Sequence, residues 1–348
     1  MITVPVRVSC EYDVLIGSGL LGQVSDKILA MFPEVKKIAI ITDENVAKFY
    51  LESVAMSLVS AGFSVVSSAF PAGEDSKTGE VFLSLLSWLA ESQVTRSDLI
   101  IALGGGVVGD LTGFTAASYL RGVPFVQIPT TLLAMVDSSV GGKTGIDLPE
   151  GKNLAGAFYQ PRLVVCDPEV LATLPGDIFN DGMAEVIKHG MLGGGDLLDK
   201  LQEMPVHNRL EEIIAANVRI KRDIVQNDEF DVGERMLLNF GHTISHAIEV
   251  LSGYDISHGR AVAIGMAMIT RAAVKKKFCS PECLLILEDL LSRYNLPDRT
   301  DYSPEDIYNA ALKDKKRTGG EITEVIPVAR GRCELRKMRV EELVEWVG

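Results

Sequence analysis

The chain has 348 residues, 47% hydrophobic and 23% charged, with a formal net charge of -13. That length exceeds one ordinary core and the composition is globular, so two domains are expected. The acidic balance argues against a general nucleic-acid binder, because gripping phosphate needs a basic face.

In chain order, residues 1–10 alternate Val with other residues and contain no long apolar run, which reads as a strand and not a signal peptide. Residues 37–42 form a short β-branched run of the kind found in buried parallel strands. An amphipathic helix follows over 46–60 and ends at Gly62; 63–70 is a strand, and 76–91 is a helix with Leu and Trp88 at helical spacing. Residues 98–103 and 125–128 are further strands. Such alternation implies a parallel sheet covered on both faces. Apolar runs such as 99–103 are too short to span a bilayer, so no membrane is expected as a partner.

Beyond about Thr173 the pattern turns helical, with helices predicted over 175–191, 209–226, 234–251, 259–277 and 281–294. Residues 321–329 are the one late strand, and Pro327 puts it at an edge. The expected fold is therefore an α/β N-terminal domain with a Rossmann-like parallel sheet (1–173) and a mainly α-helical C-terminal domain (174–348). No internal repeat or low-complexity segment appears. Five scattered cysteines (Cys10, Cys166, Cys279, Cys283, Cys333) fit the reducing cytoplasm. Cys279 and Cys283 have no second pair to complete a metal site and read as packed free thiols.

Gly104, Gly106 and Gly109 make a G-x-G-x-x-G loop that follows a predicted strand and opens a helix. In that context glycines let the backbone approach a pyrophosphate at a helix N-terminus. The loop departs from the usual dinucleotide fingerprint in following a late strand and in lacking an acidic residue about twenty positions on. Asp43 can take the ribose instead, and a plain tight βα turn remains the alternative. Residues 141–144, Gly-Gly-Lys-Thr, look like the tail of a P-loop, but the full motif needs glycine where Asp137 stands, which removes the NTPase reading. Lys143 near Asp137 still makes a charged wall, and Lys152-Asn153 adds a cation and an amide.

His242 and His246 stand at i and i+4, on one helix face. Thr243 occupies the place where a zinc protease of the H-E-x-x-H type needs Glu. His258 opens another helix after Ser257, a plausible cap. Of the five histidines, which include His189 and His207, three fall within 17 residues. Glu185 has Lys188 one turn on, which alone is an ordinary helix-face ion pair; Lys188, Lys221 and Arg235 alone read as solubilising charges. Together, Glu185, His242 and His258 form a two-histidine, one-carboxylate set that suits zinc and leaves a position open for substrate or water. His246 is either a further ligand or a residue with another role.

The segments GGGVVGDLTGFTAASYLRGVPFVQIPTTLLAMVDSSVGGKTGID, KNLAGAFYQP, GMAEVIKHG, LLNFGHTISHAIE and HGRAVAIGM, in this order, closely resemble the 3-dehydroquinate synthase family across nearly the whole chain. The resemblance implies that family's fold and its reaction, conversion of 3-deoxy-D-arabino-heptulosonate 7-phosphate to 3-dehydroquinate and phosphate. It also implies NAD, one zinc or cobalt ion per subunit, a small anionic sugar-phosphate substrate and a homodimer. By residue match, the metal ligands are Glu185, His242 and His258. The NAD contacts are Asp43 and Asn45 at the ribose; the stretch Ala72, Gly73, Glu74, Asp75, Ser76 and Lys77; Gly106, Val107, Val108, Gly109 and Asp110; Thr130, Thr131, Lys143 and Lys152; and Val170, Leu171, Ala172 and Thr173. The substrate contacts are Asp137, Lys143, Asn153, Lys188, Lys221, Arg235, Asn239 and His246, with Lys143, Lys188, Arg235 and His246 as the catalytic candidates. Lys315 or Lys316 matches a further substrate lysine. His189 replaces the usual Tyr, Ser245 the usual Gly, and Arg260 the usual Glu; the last can alter charge near the metal. Two rivals are a different sugar-phosphate cyclase, such as 2-deoxy-scyllo-inosose synthase, and a metal-dependent polyol dehydrogenase, such as glycerol dehydrogenase. Lys221, Arg235 and Asn239 favour a substrate with a carboxylate, and Lys152, Asn153 and Lys188 favour one with a phosphate.

Overall fold

The computed structural model describes residues 1–203, 206–315 and 320–348, with side chains 313–315 outside the description. The chain divides into two compact units, Met1–Leu174 and Pro175–Gly348.

The first unit carries nine strands: β1 (Ile2–Val6), β2 (Tyr12–Ile16), β3 (Lys37–Asp43), β4 (Ser64–Phe70), β5 (Leu99–Gly104), β6 (Phe125–Pro129), β7 (Lys143–Leu148), β8 (Gly151–Phe158) and β9 (Leu163–Cys166). Seven form one sheet in the order β1-β2-β9-β6-β5-β3-β4, parallel throughout except for the antiparallel β1–β2 edge. The helices are α1 (Val24–Met31), α2 (Glu44–Val46), α3 (Glu52–Ser60), α4 (Gly79–Glu91) and α5 (Gly106–Ser118), and a π turn at Ala47–Leu51 joins α2 to α3. The two-residue period of the strands sorts the core. Ile38, Ile40, Leu99, Ile101, Leu103 and Val126 face α1 and α3 through Ile28, Val54 and Leu58. Ala39, Ile41, Ile100, Ala102 and Phe125 face α4 and α5 through Leu85, Leu89, Val108 and Leu111.

The predicted strands and helices of this unit are present, but α1, β2, β9 and the β7–β8 hairpin were not among them. Segment 143–158 is rich in glycine and polar residues, so it carries little strand propensity. It pairs because Gly145 sits opposite Gly156. A Cβ on Gly145 would lie 2.7 Å from the Ala155 carbonyl oxygen, so the two backbones approach only without side chains there.

The second unit contains α6 (Gly176–Gly193), α7 (Gly195–Glu203), α8 (Leu210–Asn227), α9 (His242–Leu251), α10 (His258–Lys275), α11 (Pro281–Arg293), α12 (Pro304–Lys315) and α13 (Val344–Val347), with the hairpin β10 (Glu321–Ala329) and β11 (Arg332–Arg339). The helix expected over 234–251 is broken. A 3-10 turn spans Glu234–Asn239, Gly241 adopts φ 79°, and α9 begins at His242. The break has a packing cause as well as a conformational one, since a Cβ on Gly241 would lie 2.6 Å from the Met266 amide of α10. Pro327 lies beside the bulge of β10, in a sheet of two strands. Among the described residues no helix is long and apolar enough to cross a membrane.

One more glycine sets the second unit's geometry. The start of α10 rests on α6 at Gly259, where a Cβ would lie 2.7 Å from the Asp181 carbonyl carbon. The overlap is with backbone, which yields poorly. Gly259→Ala is expected to cost about 1–3 kcal/mol of stability and to weaken zinc binding. Gly176→Ala, with open space at its Cβ, should stay within about 0.5 kcal/mol. Denaturant unfolding with zinc titration of both variants checks this; equal behaviour would contradict the close-packing account.

Candidate functional site

Helix α6 carries the centre of the second unit's site. Asp181, Glu185 and Lys188 follow one another at i, i+4 and i+7 on one face. The Asp181 carboxylate accepts from the Ser257 hydroxyl at 2.5 Å and from the Arg260 amide at 3.0 Å. It thus supplies the N-terminal cap of α10, and Ser257 reaches that cap through Asp181 and not by capping the helix itself. This contact fixes His258, the first residue of α10, one turn from Glu185.

Glu185 is 1% exposed, and its carboxylate is in contact with the Lys188 ammonium on the same helix. Its Oε1 lies 3.6 Å from His258 Nε2 and 3.9 Å from His242 Nε2. One donor atom from each of Glu185, His242 and His258 lies within 4.8 Å of the other two. Both imidazoles are oriented from behind: His242 Nδ1–H donates to the Phe240 carbonyl at 3.2 Å, and His258 Nδ1 faces Glu249 Oε1 at 3.6 Å. That leaves both Nε2 atoms toward Glu185. A tetrahedral divalent ion with an open position fits this donor set. His246 is exposed, its ring edge-on to His242 at 5.7 Å.

The two candidate ligands His242 and His258 differ electrostatically. Burial and the nearby Lys188 charge hold His242 well below 6.5, outweighing Glu185. Burial works against protonated His258 too, but the carboxylates of Glu185 and Glu249 push it up to about 10. In the metal-free protein His258 therefore carries a proton at neutral pH and His242 does not.

Of the proposed substrate residues in this unit, Lys188, Lys221 on α8 and Arg235 are buried, and Asn239 and His246 are exposed. Arg235 is held by its loop: its amide donates to Asp228 Oδ2 at 3.0 Å and Nη1 donates to the Glu229 carbonyl at 2.5 Å. Asp228 also accepts from the amides of Val232 and Gly233. Burial raises its carboxyl, but these backbone donors outweigh that and hold it below the usual range. His189 donates through Nδ1 to Asn217 Oδ1 at 3.1 Å, packing α6 on α8. Arg260 turns outward, Nη1 reaching the Asn295 carbonyl at 3.4 Å. Lys315 is the last residue of α12; Lys316 lies outside the described residues.

In the first unit, Lys77 is the hub. It is 4% exposed, and its ammonium donates to Asp110 Oδ2 at 2.7 Å and to Asn153 Oδ1 at 2.5 Å, with Glu74 at 3.8 Å. Burial lowers its proton affinity, but Asp110 and Glu74 outweigh this and raise it. The structure thus joins segment 72–77, the first turns of α5 and the β7–β8 hairpin. Gly106, Val107, Val108 and Gly109 form the start of α5, whose first amides face outward. A Cβ on Gly105 or Gly106 would crowd Thr131 or Ser138 at 3.1 and 3.2 Å, and the buried Thr130 Oγ1 has no hydrogen-bond partner among the described residues. A small-residue cradle at a helix N-terminus with an unused hydroxyl beside it fits a dinucleotide pyrophosphate. Asp43 caps α2, accepting from the amides of Asn45 and Val46. Val170, Leu171, Ala172 and Thr173 lie in a 3-10 turn, tied to the π turn by the Tyr50 hydroxyl, 2.7 Å from Thr173 Oγ1 and 3.0 Å from the Val170 carbonyl. Lys143 is exposed at the start of β7, Lys152 is half-buried on β8, and Asp137 lies within a π turn at Ala134–Ser138.

The cysteines are free. Burial pushes the Cys279 thiol up to about 12 and those of Cys166 and Cys333 higher still, so they are poor ligands and nucleophiles. Sequence reasoning missed Asp181, Asp228 and Glu249. Glu249 was the one with a visible signal: it follows His242 by seven residues and so shares its helix face.

Two family models match, 3-dehydroquinate synthase N-terminal over residues 67–181 and 3-dehydroquinate synthase C-terminal over 182–317. The chain is 42% identical over 343 residues to 3-dehydroquinate synthase of Clostridium acetobutylicum, covering 97% of this chain and 96% of that one. It is 43% identical over 345 residues to that of Streptococcus thermophilus, at the same coverage. The chain belongs to the 3-dehydroquinate synthase family. Its fold matches a solved 2-deoxy-scyllo-inosose synthase with carbaglucose-6-phosphate, NAD+ and Co2+, at TM-score 0.90 and 24% identity over 99% of both chains. It also matches a 2-epi-5-epi-valiolone synthase of Streptomyces hygroscopicus with NAD+ and Zn2+, at TM-score 0.86 and 25% identity over 99% of this chain and 97% of that one. A glycerol dehydrogenase of Schizosaccharomyces pombe is more distant, at TM-score 0.67 and 17% identity over 99% and 90%.

Zinc must displace the His258 proton, so affinity should rise with pH up to about 10 and level off above it, with proton release near neutrality. In the metal-free protein, the stability from this raised value is full below 6.5 and is lost as pH climbs toward about 10. Calorimetry in buffers of different ionisation enthalpy checks the release. No buffer dependence would contradict the assignment.

Proposed function

We propose that the chain is a 3-dehydroquinate synthase, converting 3-deoxy-D-arabino-heptulosonate 7-phosphate to 3-dehydroquinate and phosphate with no net consumption of NAD. The observation that carries this reading is the likeness of nearly the whole chain to proteins of that name, at an identity well above that to the other cyclases. The first unit is the NAD-binding domain and the second binds the metal and much of the substrate. A cytoplasmic setting suits its free cysteines, four of the five buried, and the homodimer follows from the family resemblance.

NAD, when bound, would supply a reversible hydride acceptor, so that the reaction consumes none of it overall. The divalent ion, when bound, acts as a Lewis acid on substrate hydroxyl oxygens. Glu185, His242 and His258 hold the ion. The start of α5, Thr130, Thr131 and the Lys77 hub with Glu74 and Asp110 hold NAD, with Asp43 and Asn45 at its ribose and Val170–Thr173 alongside.

Arg235 presents a planar fork to the substrate carboxylate, pre-oriented by the Asp228 loop. Lys221 adds buried positive charge, where solvent screens an anion least. Lys188 brings its ammonium to the reacting oxygens beside Glu185. Asp137, Lys143, Lys152 and Asn153 add polar and cationic contacts, and Asn239 bonds a substrate oxygen. His246, exposed and two-faced in its proton chemistry, relays a proton or meets the phosphate. The departing phosphate can itself take the proton, so the residues mainly orient and neutralise.

Supplying the heptulosonate phosphate with zinc and catalytic NAD should release phosphate and form dehydroquinate in equal amounts. Stoichiometric NADH would instead mark a dehydrogenase, and turnover of only carboxylate-free sugar phosphates another cyclase. Arg235→Lys keeps the charge but loses the fork, and should lower kcat/KM by roughly 10–100-fold, as for a charged hydrogen bond, while far-ultraviolet circular dichroism shows the protein still folded. Wild-type kinetics would remove Arg235 from the carboxylate site.

A further inference from the structure

We infer that Glu249, braced by Ser245, is the positioning residue that aims His258 at the metal. The inference rests on the metal reading given above and extends it to residues outside the ligand set.

His258 needs an outside brace. It is the first residue of α10, and its side chain is 36% exposed, so packing alone does not fix the ring. Glu185, by contrast, is locked by burial, and His242 is held by a carbonyl of its own loop. The ring of His258 is bracketed between two carboxylates, with Nδ1 3.6 Å from Glu249 Oε1 and Nε2 3.6 Å from Glu185 Oε1. A carboxylate behind Nδ1 keeps the proton there and turns the Nε2 lone pair to the ion.

Glu249 is itself placed. It is 4% exposed on α9, two turns after His242 and on the same face, so one helix supplies a ligand and the brace for another. The Ser245 hydroxyl, fully buried one turn earlier, donates to Glu249 Oε2 at 3.5 Å. That donor holds the far oxygen and leaves Oε1 toward His258.

The test is zinc affinity of the metal-free protein, by chelator competition, with the visible spectrum of the Co2+-loaded protein as a second readout. Glu249→Ala should weaken zinc binding by roughly 10–100-fold, as loss of an outer partner does at other metal sites, and should shift the cobalt bands as the ring swings. Glu249→Gln should fall between, since the amide oxygen can still accept from Nδ1–H. Ser245→Ala should weaken binding by about twofold to fivefold, in line with one neutral-to-charged hydrogen bond at long range. Metal-free thermal unfolding of Ser245→Ala should match wild type, whereas that of Glu249→Gln should fall modestly because the charge facing His258 is lost. Wild-type affinity and spectrum in both Glu249 variants would overturn the inference. If Glu249→Ala fails to fold, Glu249→Gln and Ser245→Ala decide it, and wild-type behaviour in both overturns it. A wild-type protein that holds no stoichiometric zinc fails earlier, at the metal reading, and is thereby told apart.

Discussion

The second unit is organised by the burial of one carboxylate. Glu185 sits almost wholly out of water on a helix whose buried residues are mostly apolar, Lys188 and His189 apart. A lone carboxylate there would cost several kcal/mol or more, so cationic or metal partners must surround it. Lys188 comes from the same helix; His242 and His258 come from the first residues of two others. Bringing two helix starts to one atom demands close backbone approach. Gly259 permits it on α6, and Gly241 with Gly265 permits it between α9 and α10. A divalent ion among these donors neutralises the carboxylate more completely than an imidazolium does, and the same tight packing gives the site its rigidity.

The first unit solves the opposite problem. There the buried charge is a cation, Lys77, and its partners come from three separate segments through Asp110, Asn153 and Glu74. Truncating Lys77 would leave Asp110 and Glu74 facing each other, so one lysine both neutralises and joins the elements around the glycine loop. Bare glycine backbone keeps that loop accessible, since a Cβ on Gly105 or Gly106 would press on the Thr131 or Ser138 side chain.

Much of this was legible in the sequence where chemistry and spacing coincide. Gly104, Gly106 and Gly109 after a predicted strand marked a strand–loop–helix, and His242 and His258 stood out among few histidines, whereas Glu185 alone read as an ordinary ion pair and joined them as the carboxylate of a ligand set that the resemblance supplied. What was not legible depends on approaches between distant segments. The helix over 234–251 looked continuous because Gly241 alone does not announce a left-handed turn; Met266 makes it obligatory. The β7–β8 hairpin lacks strand propensity and forms through a glycine pair seen only in register. Asp181 looked like any surface acid on a helix, yet it caps α10 from 76 residues away. Buried Lys188, Lys221 and Arg235 likewise resembled solubilising charges until burial was known.

The central claim is that one carboxylate and two imidazoles, with no thiolate, make the metal centre. X-ray absorption at the zinc edge of the stoichiometrically loaded protein tests it most directly. The account predicts a shell of nitrogen and oxygen only, with the outer scattering of two imidazole rings. A sulfur neighbour at about 2.3 Å, or scattering from a single imidazole, would contradict it.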